Sequence, residues 1–392
     1  MRGLISSQIV EHVLRPVSFY TRALEPALPR QTFEPANSRL WWLPLHVGVI
    51  SLGILSLAAG WVPWLAAGGV SLLIGASFAG LTFLAHETLH GAVVRGRRMR
   101  RLVGGISFLP FMISPRLWIA WHNRVHHGHT NHAGVDPDAY PTVEEYEKHQ
   151  LLRIVTDHLG PGGGRPNGAL SLLIGFSIQS AHMLLRAKAY GLLSARQHRV
   201  ALIESGLSAA GWLALSWVIG WPAFVFAFVL PLLVANAIVM GFILTNHSLS
   251  PLSEVNDPLF NSLSVTAPRW VEWLTMRFGF HVEHHLFPWM SSRHAPLVRS
   301  LLVSRWPERY QSMPILRALG ALHRTGRVYK NAITLTDRLG GEECITLMPR
   351  DWDSQGLIPL VPRAVTADAG PLLSAVFQSS AARSPQSEPA AS

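Results

Sequence analysis

Residues 40–60 read LWWLPLHVGVISLGILSLAAG, and nothing in that run is acidic or strongly basic. At about 1.5 Å of rise per residue, such a stretch is long enough as a helix to cross the ~30 Å hydrocarbon layer of a bilayer. Three further runs repeat the pattern. Residues 65–86 follow the tight linker WVPW (61–64), residues 200–220 carry the single acid Glu204, and residues 221–245, WPAFVFAFVLPLLVANAIVMGFILT, carry no charge. The expected spans are therefore 40–60, 65–86, 200–220 and 221–245. Composition agrees: of 392 residues, 49% are hydrophobic and 14% charged, against roughly 25% charged in an ordinary soluble domain. The mean hydropathy is +0.24. Residues 1–30 are broken by charge throughout and lack a signal peptide's apolar core, so insertion is expected to come from the internal spans.

Charge placement orients the spans. Trp61, Trp64 and Trp221 sit at the connections, where amphipathic rings prefer the interface, and the two connecting turns are uncharged. The opposite ends are basic: RGRRMRR (Arg95–Arg101) follows the second span, and Arg186, Lys188, Arg196 and Arg199 precede the third. By the positive-inside rule, both hairpins enter from the cytoplasm and return to it. The net charge of +10, from 33 Lys+Arg against 23 Asp+Glu, then belongs to cytoplasmic loops and anionic lipid, not to nucleic acid. Gly168–Arg186 contains Ser, Gln and His. If it crossed alone, the basic stretches on its two sides would face opposite compartments. It is expected to lie along the membrane surface, as is Leu102–Trp121, which Pro110 and Pro115 interrupt.

The expected fold is an all-α integral membrane protein, with four transmembrane helices in two hairpins and a cytoplasmic helical cap. Residues 1–39 form an N-terminal cytoplasmic segment, 40–330 the membrane domain, and 331–392 a C-terminal extension. Within that extension GGEECITLMPRDW (340–352) suggests a strand or hairpin, and SSAARSPQSEPAAS (379–392) has the composition of a disordered tail. GPGGGRPNG (160–168) follows no strand and carries no phosphate-loop lysine, so it reads as a loop.

Histidines carry the chemistry. HETLH places His86 and His90 four apart, HNRVHH gives His122, His126 and His127, and HVEHH gives His281, His284 and His285. Ring nitrogens three or four residues apart share a helix face and can converge on one cation; neutral imidazole suits iron, zinc, copper or nickel. One i, i+4 pair is an ordinary helix feature. Here three clusters fall just beyond membrane segments, all on the side that apolar runs and Lys/Arg alone assign to the cytoplasm. Eight imidazoles exceed what one ion takes, so two metals in a shared helical cage fit the count. Cys344 is the only cysteine, which excludes an internal disulfide and thiolate-bound clusters.

The order HETLH, HNRVHH and, after two further spans, HVEHH resembles the three histidine boxes of the membrane-bound fatty acid desaturases. The resemblance runs from about Trp41 to Arg324 and takes in HTN (129–131), DPD (136–138) and the Asn246–His247 pair. It implies a non-haem di-iron centre that uses O₂ and two electrons to remove two hydrogens from an alkyl chain. Carried over, the ligands are His86, His90, His122, His126, His127, His281, His284 and His285. His247 is a ninth, and Asn246 makes a water-mediated contact. His129 and His132 fall outside the ligand positions. Glu87 and Glu283 lie between ligands and are expected to accept from imidazole N–H groups, and Asp136 and Asp138 to hold ligand histidines or basic residues. The implied substrate is an acyl chain carried by lipid, CoA or acyl carrier protein, in the bacterial inner membrane.

No haem-binding HPGG motif occurs. Electrons are therefore expected from a separate carrier, a ferredoxin or cytochrome b5 with its reductase. Two other readings stand beside desaturation. One keeps the di-iron architecture but acts as a hydroxylase, ketolase or acetylenase. The other is a divalent-metal transporter, which should carry its ligands inside the spans near the midplane; here the boxes lie beyond the span ends and the four spans are nearly free of charge.

Overall fold

The computed structural model describes residues 14–160, 162–338 and 341–350. Among these, helix dominates, and sheet is confined to short strands. In chain order the main helices are α1 (Val17–Leu24), α2 (Trp42–Ala58), α3 (Trp64–His90), α4 (Arg97–Ser107), α5 (Pro115–Trp118, running on through Ile119–His126), α6 (Ala169–Arg186), α7 (Ala195–Ile219), α8 (Leu230–His247), α9 (His281–Leu286), α10 (Ala295–Arg305) and α11 (Ile315–Arg324). Among the described residues five stretches are long and apolar enough to cross a membrane: Arg30–Ala58, Trp64–His90, Ala169–Arg186, Ala195–Ile219 and Trp221–His247. Four of them match the expected spans. The fifth, α6, was expected to lie on the surface; its length and composition qualify it as a span, though it is the least apolar of the five.

Local sequence explains the bounds that matter. α3 stops where Gly91 adopts φ 90°, with the Gly91 N–H donating to Thr88 and the Ala92 N–H to Glu87. This left-handed glycine stop leaves His86 and His90 in the last turns. α7 opens on a capping box in which Ser194 and Gln197 satisfy each other's backbone donors. Its one internal acid, Glu204, is paired with Arg116 of α5 at 3.0 Å, so the charge in this apolar helix is neutralised by the neighbouring segment.

α3 is the central helix. It packs against α2, α4 and α8, and 67% of its apolar window is buried, against 11% for α7. Ile74, Phe78, Phe83 and Leu84 fill the space around it. At Gly75 the α8 helix comes so near that an added Cβ would lie 2.6 Å from Val234 Cβ. α2 and α7 instead show Leu52, Leu55, Leu207, Leu213 and Trp217 on their outer surfaces. Apolar faces of that extent suit a lipid surround. α6 packs along α8, where Ser177 and Asn236 exchange two hydrogen bonds and Gly175 faces Met240.

The remaining elements form one layer over the inner ends of α3 and α8. Two strands, β1 (Ser264–Thr266) and β2 (Ser312–Pro314), pair in parallel. Three more, β3 (Val328–Asn331), β4 (Thr334–Thr336) and β5 (Glu343–Ile345), make an antiparallel sheet in that order. β5 lies within the stretch that suggested a strand. The expected boundary at 330 falls inside β3, and Tyr329 and Leu335 are buried against Leu252, so the start of the extension is packed structure. The described part of the N-terminal segment is packed structure too. Tyr20, Leu24 and Leu28 bury themselves with Val282, Leu286 and Val298, which lays α1 across α9 and α10. The tail at 379–392 lies outside the described residues.

Candidate metal centre

Four chain segments deliver the histidines. α3 brings His86 and His90, and α8 ends on His247. α9 carries His281, His284 and His285; its first turn is fixed by Ser264, whose Oγ accepts the N–H groups of His281 and Val282. The second box is wound differently. From Ile119 to His126 the helix widens, and the His127 N–H donates to the His122 carbonyl five residues back. In an α-helix, residues five apart point about 140° away from each other. The wider turn brings His122 and His127 onto one side instead, with Nε2 atoms 3.2 Å apart. Trp118 stacks on the His122 ring at 4.4 Å and holds it there.

All nine candidate ligands come together, in two groups. The first contains His86, His90, His122, His127 and His284; the second contains His126, His247, His281 and His285. Within each group one ring nitrogen per residue lies within 4.8 Å of every other. His284 Nε2 is 2.8 Å from His86 Nε2 and 3.2 Å from His127 Nε2. In the second group, His281 Nε2 is 2.6 Å from His247 Nε2 and 3.1 Å from His285 Nε2.

Hydrogen bonding alone cannot satisfy this convergence. Each imidazole nitrogen has one in-plane site, holding a proton or a lone pair. His284 Nε2 and His281 Nε2 each face two other nitrogens, and the buried His90 Nε2 has no hydrogen-bond partner among the described residues. A cation answers the arrangement: ligand nitrogens ~2.1 Å from a common centre lie about 3 Å apart at right angles. Protonation points the same way. Burial, then neighbouring imidazoles, hold His122, His127, His281 and His285 well below the usual histidine range, and burial takes His284 down to about 3. These rings are neutral and offer lone pairs.

His126 differs for a visible reason. Burial lowers its affinity for a proton, but Asp136 and Asp138 outweigh that and push it up to about 9. Its Nδ1 lies 2.9 Å from Asp136 Oδ1 and 3.4 Å from Asp138 Oδ2. The carboxylates hold a proton on Nδ1, so a cation in the group would take Nε2 by displacing its proton. Asp138 also accepts from Trp121 Nε1 and Gln179 Nε2. Thr130, which sequence reasoning passed over, acts alike on His285. Its Oγ1 donates to the His126 carbonyl and lies 3.2 Å from His285 Nδ1, where it accepts the ring proton. Its neighbour Asn131 takes φ 51° and donates from Nδ2 to the carbonyls of His247, Pro251 and Asn261. The HTN motif was the signal for both.

The two acids inside the boxes depart from expectation. Neither accepts from an imidazole. Glu87 accepts from Ser291 Oγ and from the N–H and Oγ of Ser292, and Glu283 accepts from Ser264 Oγ at 2.6 Å and Tyr310 at 2.5 Å. They tie the histidine-bearing helices to the surrounding cap. Asn246 is fully buried, and neither polar atom of its side chain has a partner among the described residues. His129 and His132 belong to neither group; their rings lie 6.1 Å apart.

Fold and site together define a helical membrane protein whose buried histidines form two groups able to hold metal ions, where its central helices end. The fatty acid desaturase family matches residues 59–316. The sn-1 oleoyl-lipid 12-desaturase of Arthrospira platensis is 25% identical over 267 residues, 64% of this chain and 73% of the relative. The enzyme of the same description from Synechocystis sp. is 24% identical over 289 residues, 71% and 80% of the two chains. The chloroplastic omega-6 fatty acid desaturase of Spinacia oleracea is 24% identical over 307 residues, 73% and 64%. The chain belongs to the fatty acid desaturase family. It is an oxidoreductase that desaturates acyl chains.

Proposed function

We propose that this protein desaturates the acyl chain of a membrane lipid, using O₂, two histidine-bound irons and electrons from a separate ferredoxin or cytochrome b5. The observation that carries the reading is the division of nine histidines into two groups whose ring nitrogens converge within 4.8 Å of one another. In this reading all nine are iron ligands, and the unpartnered side chain of Asn246 takes a water beside them. When bound, the irons supply the oxidising chemistry: one O₂, two electrons and two protons become two waters as a CH₂–CH₂ pair becomes CH=CH.

The chain's own residues do the rest. Asp136 and Thr130 hold protons on the Nδ1 atoms of His126 and His285, which aims the Nε2 lone pairs inward. Phe83, Phe278 and Phe280 line a cleft that touches His86 and His284. Their rings keep water from the reacting methylenes and lay the chain against the metals. The lipid-linked substrate is taken from the description of the cyanobacterial relatives.

The topology proposed is α2–α3 and α7–α8 as two hairpins entering from the cytoplasm, with the histidine cap on the cytoplasmic face of a bacterial inner membrane. Residues 1–39, 40–330 and 331–392 keep their roles as cytoplasmic segment, catalytic domain and extension. In this reading α6 does not cross. What supports it is that Gly163 and Gly164, before α6, donate to Thr325 and His323 at the end of α11, while within α6 Gln179 donates to Asp138 and the Leu184 carbonyl bonds His198 of α7. Placing the histidines at helix ends, not mid-span, also argues against the transporter.

The test is expression in a host of defined lipid composition, with mass spectrometry of its lipids. Loss of two hydrogens at one position, absent in His122→Ala and His284→Ala, is the expected result. Gain of one oxygen atom would replace desaturation by hydroxylation, and stoichiometric zinc without iron would refute the redox reading.

A further inference from the structure

The narrow cleft beside His86 and His284, about 20 Å³ in volume, has a second wall that the chemistry does not use. Opposite in character to Phe83 and Phe278, it is made by Arg277 and Ser292. Arg277 Nη1 donates to the Arg293 carbonyl at 2.5 Å, and the charges of Arg277 and Arg293 both act on Arg39. Arg39 is largely buried, with 12% of its side chain exposed, and lies 3.8 Å from Glu87, too far for a hydrogen bond. Glu87 Oε1 is already taken by Ser291 and Ser292. Of the charges that act on Arg39, Glu87 is the one acid and Arg277 and Arg293 oppose it, so positive charge is in excess around Arg39.

Backbone and depth add to this. Met276 and Arg277 have φ of 52° and 61°, two successive residues with a Cβ in the left-handed region. Such a conformation is costly and is kept where surrounding structure demands it. Next to it, Trp270 and Trp273 are exposed, Trp273 packs 4.6 Å from Trp42 at the start of α2, and Trp41 is exposed as well. Exposed tryptophans at a span's end lie at the level of lipid headgroups. The arginines stand at that level, and arginine binds phosphate through paired, charge-assisted hydrogen bonds.

We propose that Arg39, Arg277 and Arg293 form the headgroup subsite of the substrate and take the phosphate of an anionic glycerolipid whose acyl chain runs along Phe83 and Phe278 toward His86 and His284. This rests on the acyl-lipid reading above. Anchoring the headgroup makes its distance from His86 the measure that selects which methylene pair reacts.

The experiment uses the full-length, iron-loaded protein in nanodiscs of neutral lipid doped with oleoyl phosphatidylglycerol or neutral oleoyl galactosyldiacylglycerol. Wild type should show kcat/KM at least ~10-fold higher for the anionic lipid, about 1.4 kcal/mol of discrimination. Arg277→Gln and Arg293→Gln should lose that preference through KM, while Arg153→Gln, exposed in the helix Gln150–His158, keeps it. Equal use of both lipids by wild type, or equal loss on both in the variants, overturns the proposal.

Binding is read separately, by quenching of tryptophan fluorescence with brominated lipids of the two headgroups. If no lipid yields an alkene, the desaturase reading fails. Anionic-selective quenching that disappears in Arg277→Gln still supports the subsite, and unselective quenching sinks it. Millimolar inorganic phosphate or glycerol 3-phosphate should not displace the anionic lipid; displacement would reassign the site to a soluble anion.

Discussion

Replacing Asp136 by Asn changes one oxygen to an amide nitrogen and removes one charge, at a position with no side-chain exposure. Both carboxylate oxygens are occupied. Oδ1 accepts from His126 Nδ1 and the Asp138 N–H, and Oδ2 from the Asn131 N–H at 2.8 Å. Whichever way the amide is turned, its NH₂ faces a backbone N–H. One buried donor is left unsatisfied, which costs about 1–3 kcal/mol. The loss falls on the ligand too, because a carboxylate that fixes an imidazole's tautomer typically contributes 10–100-fold in metal affinity. Of the two all-histidine groups, His126 belongs to the one with His247, His281 and His285, so the damage should be one-sided. Purified Asp136→Asn should keep close to one iron per chain where wild type keeps two, with product formation lost and membrane insertion intact. Asp136→Glu, which restores charge but not length, should recover part of the metal. Two irons and near-normal turnover in Asp136→Asn would refute the claim that this carboxylate sets the state of His126.

Three further outcomes follow from the same geometry. His247→Ala should lose iron from the second group and with it turnover, while His132→Ala retains both irons; elemental analysis separates them. Tags at residues 62 and 221 should label from outside the cell and tags at 97, 145 and 290 from the cytoplasm, and opposite labelling of 145 and 290 would show that α6 crosses and undo the shared cage. Acid should weaken the metal-free protein in a defined direction. The folded state holds His122, His127, His281, His284 and His285 below their unfolded pKa. Their stabilising contribution is therefore present above about pH 6.5 and lost as pH falls from there toward the folded values. A detergent-solubilised Tm that is flat between about pH 7 and pH 5 would contradict that.

What could be read from sequence was whatever depends on period and charge. Apolar runs of sufficient length named four of the five candidate spans among the described residues, and i, i+4 spacing put His86 beside His90. The same spacing rule, applied fully, would have corrected the box acids. Glu87 follows His86 by one residue and so sits about 100° around α3 from the face His86 shares with His90; there it meets Ser291 and Ser292 instead of an imidazole. The widened turn of the second box was not legible, because no local residue type demands it. The helix there answers to packing from Trp118 and from other segments. Short strands such as Thr334–Thr336 were equally silent, since three residues hold no period and their partners come from chain turns away. Thr130 acts on a residue 155 positions later, a contact that only the fold creates.

The distribution of ligands among segments explains why the cap must be built as it is. Each of the two central helices serves one group: α3 supplies only the first, through His86 and His90, and α8 only the second, through His247. The close approach at Gly75 and Val234 fixes how far apart those helices stand. The cap segments do the opposite, because each divides its histidines. Consecutive residues His126 and His127 go to different groups, and α9 sends His284 to the first and His281 and His285 to the second. Rings from the two groups even stack, with His127 lying on His285 at 4.3 Å. Two segments that each straddle both groups over-determine their separation, so neither group can shift without dragging the other. Ser264 with Glu283, which anchors α9, therefore holds a segment that sets the separation of both groups, whereas Asp136 acts on the ring of His126 alone. In the di-iron reading, two metals that deliver two hydrogens' worth of oxidation at one place on a chain would require that coupling, and four independent helices would not provide it.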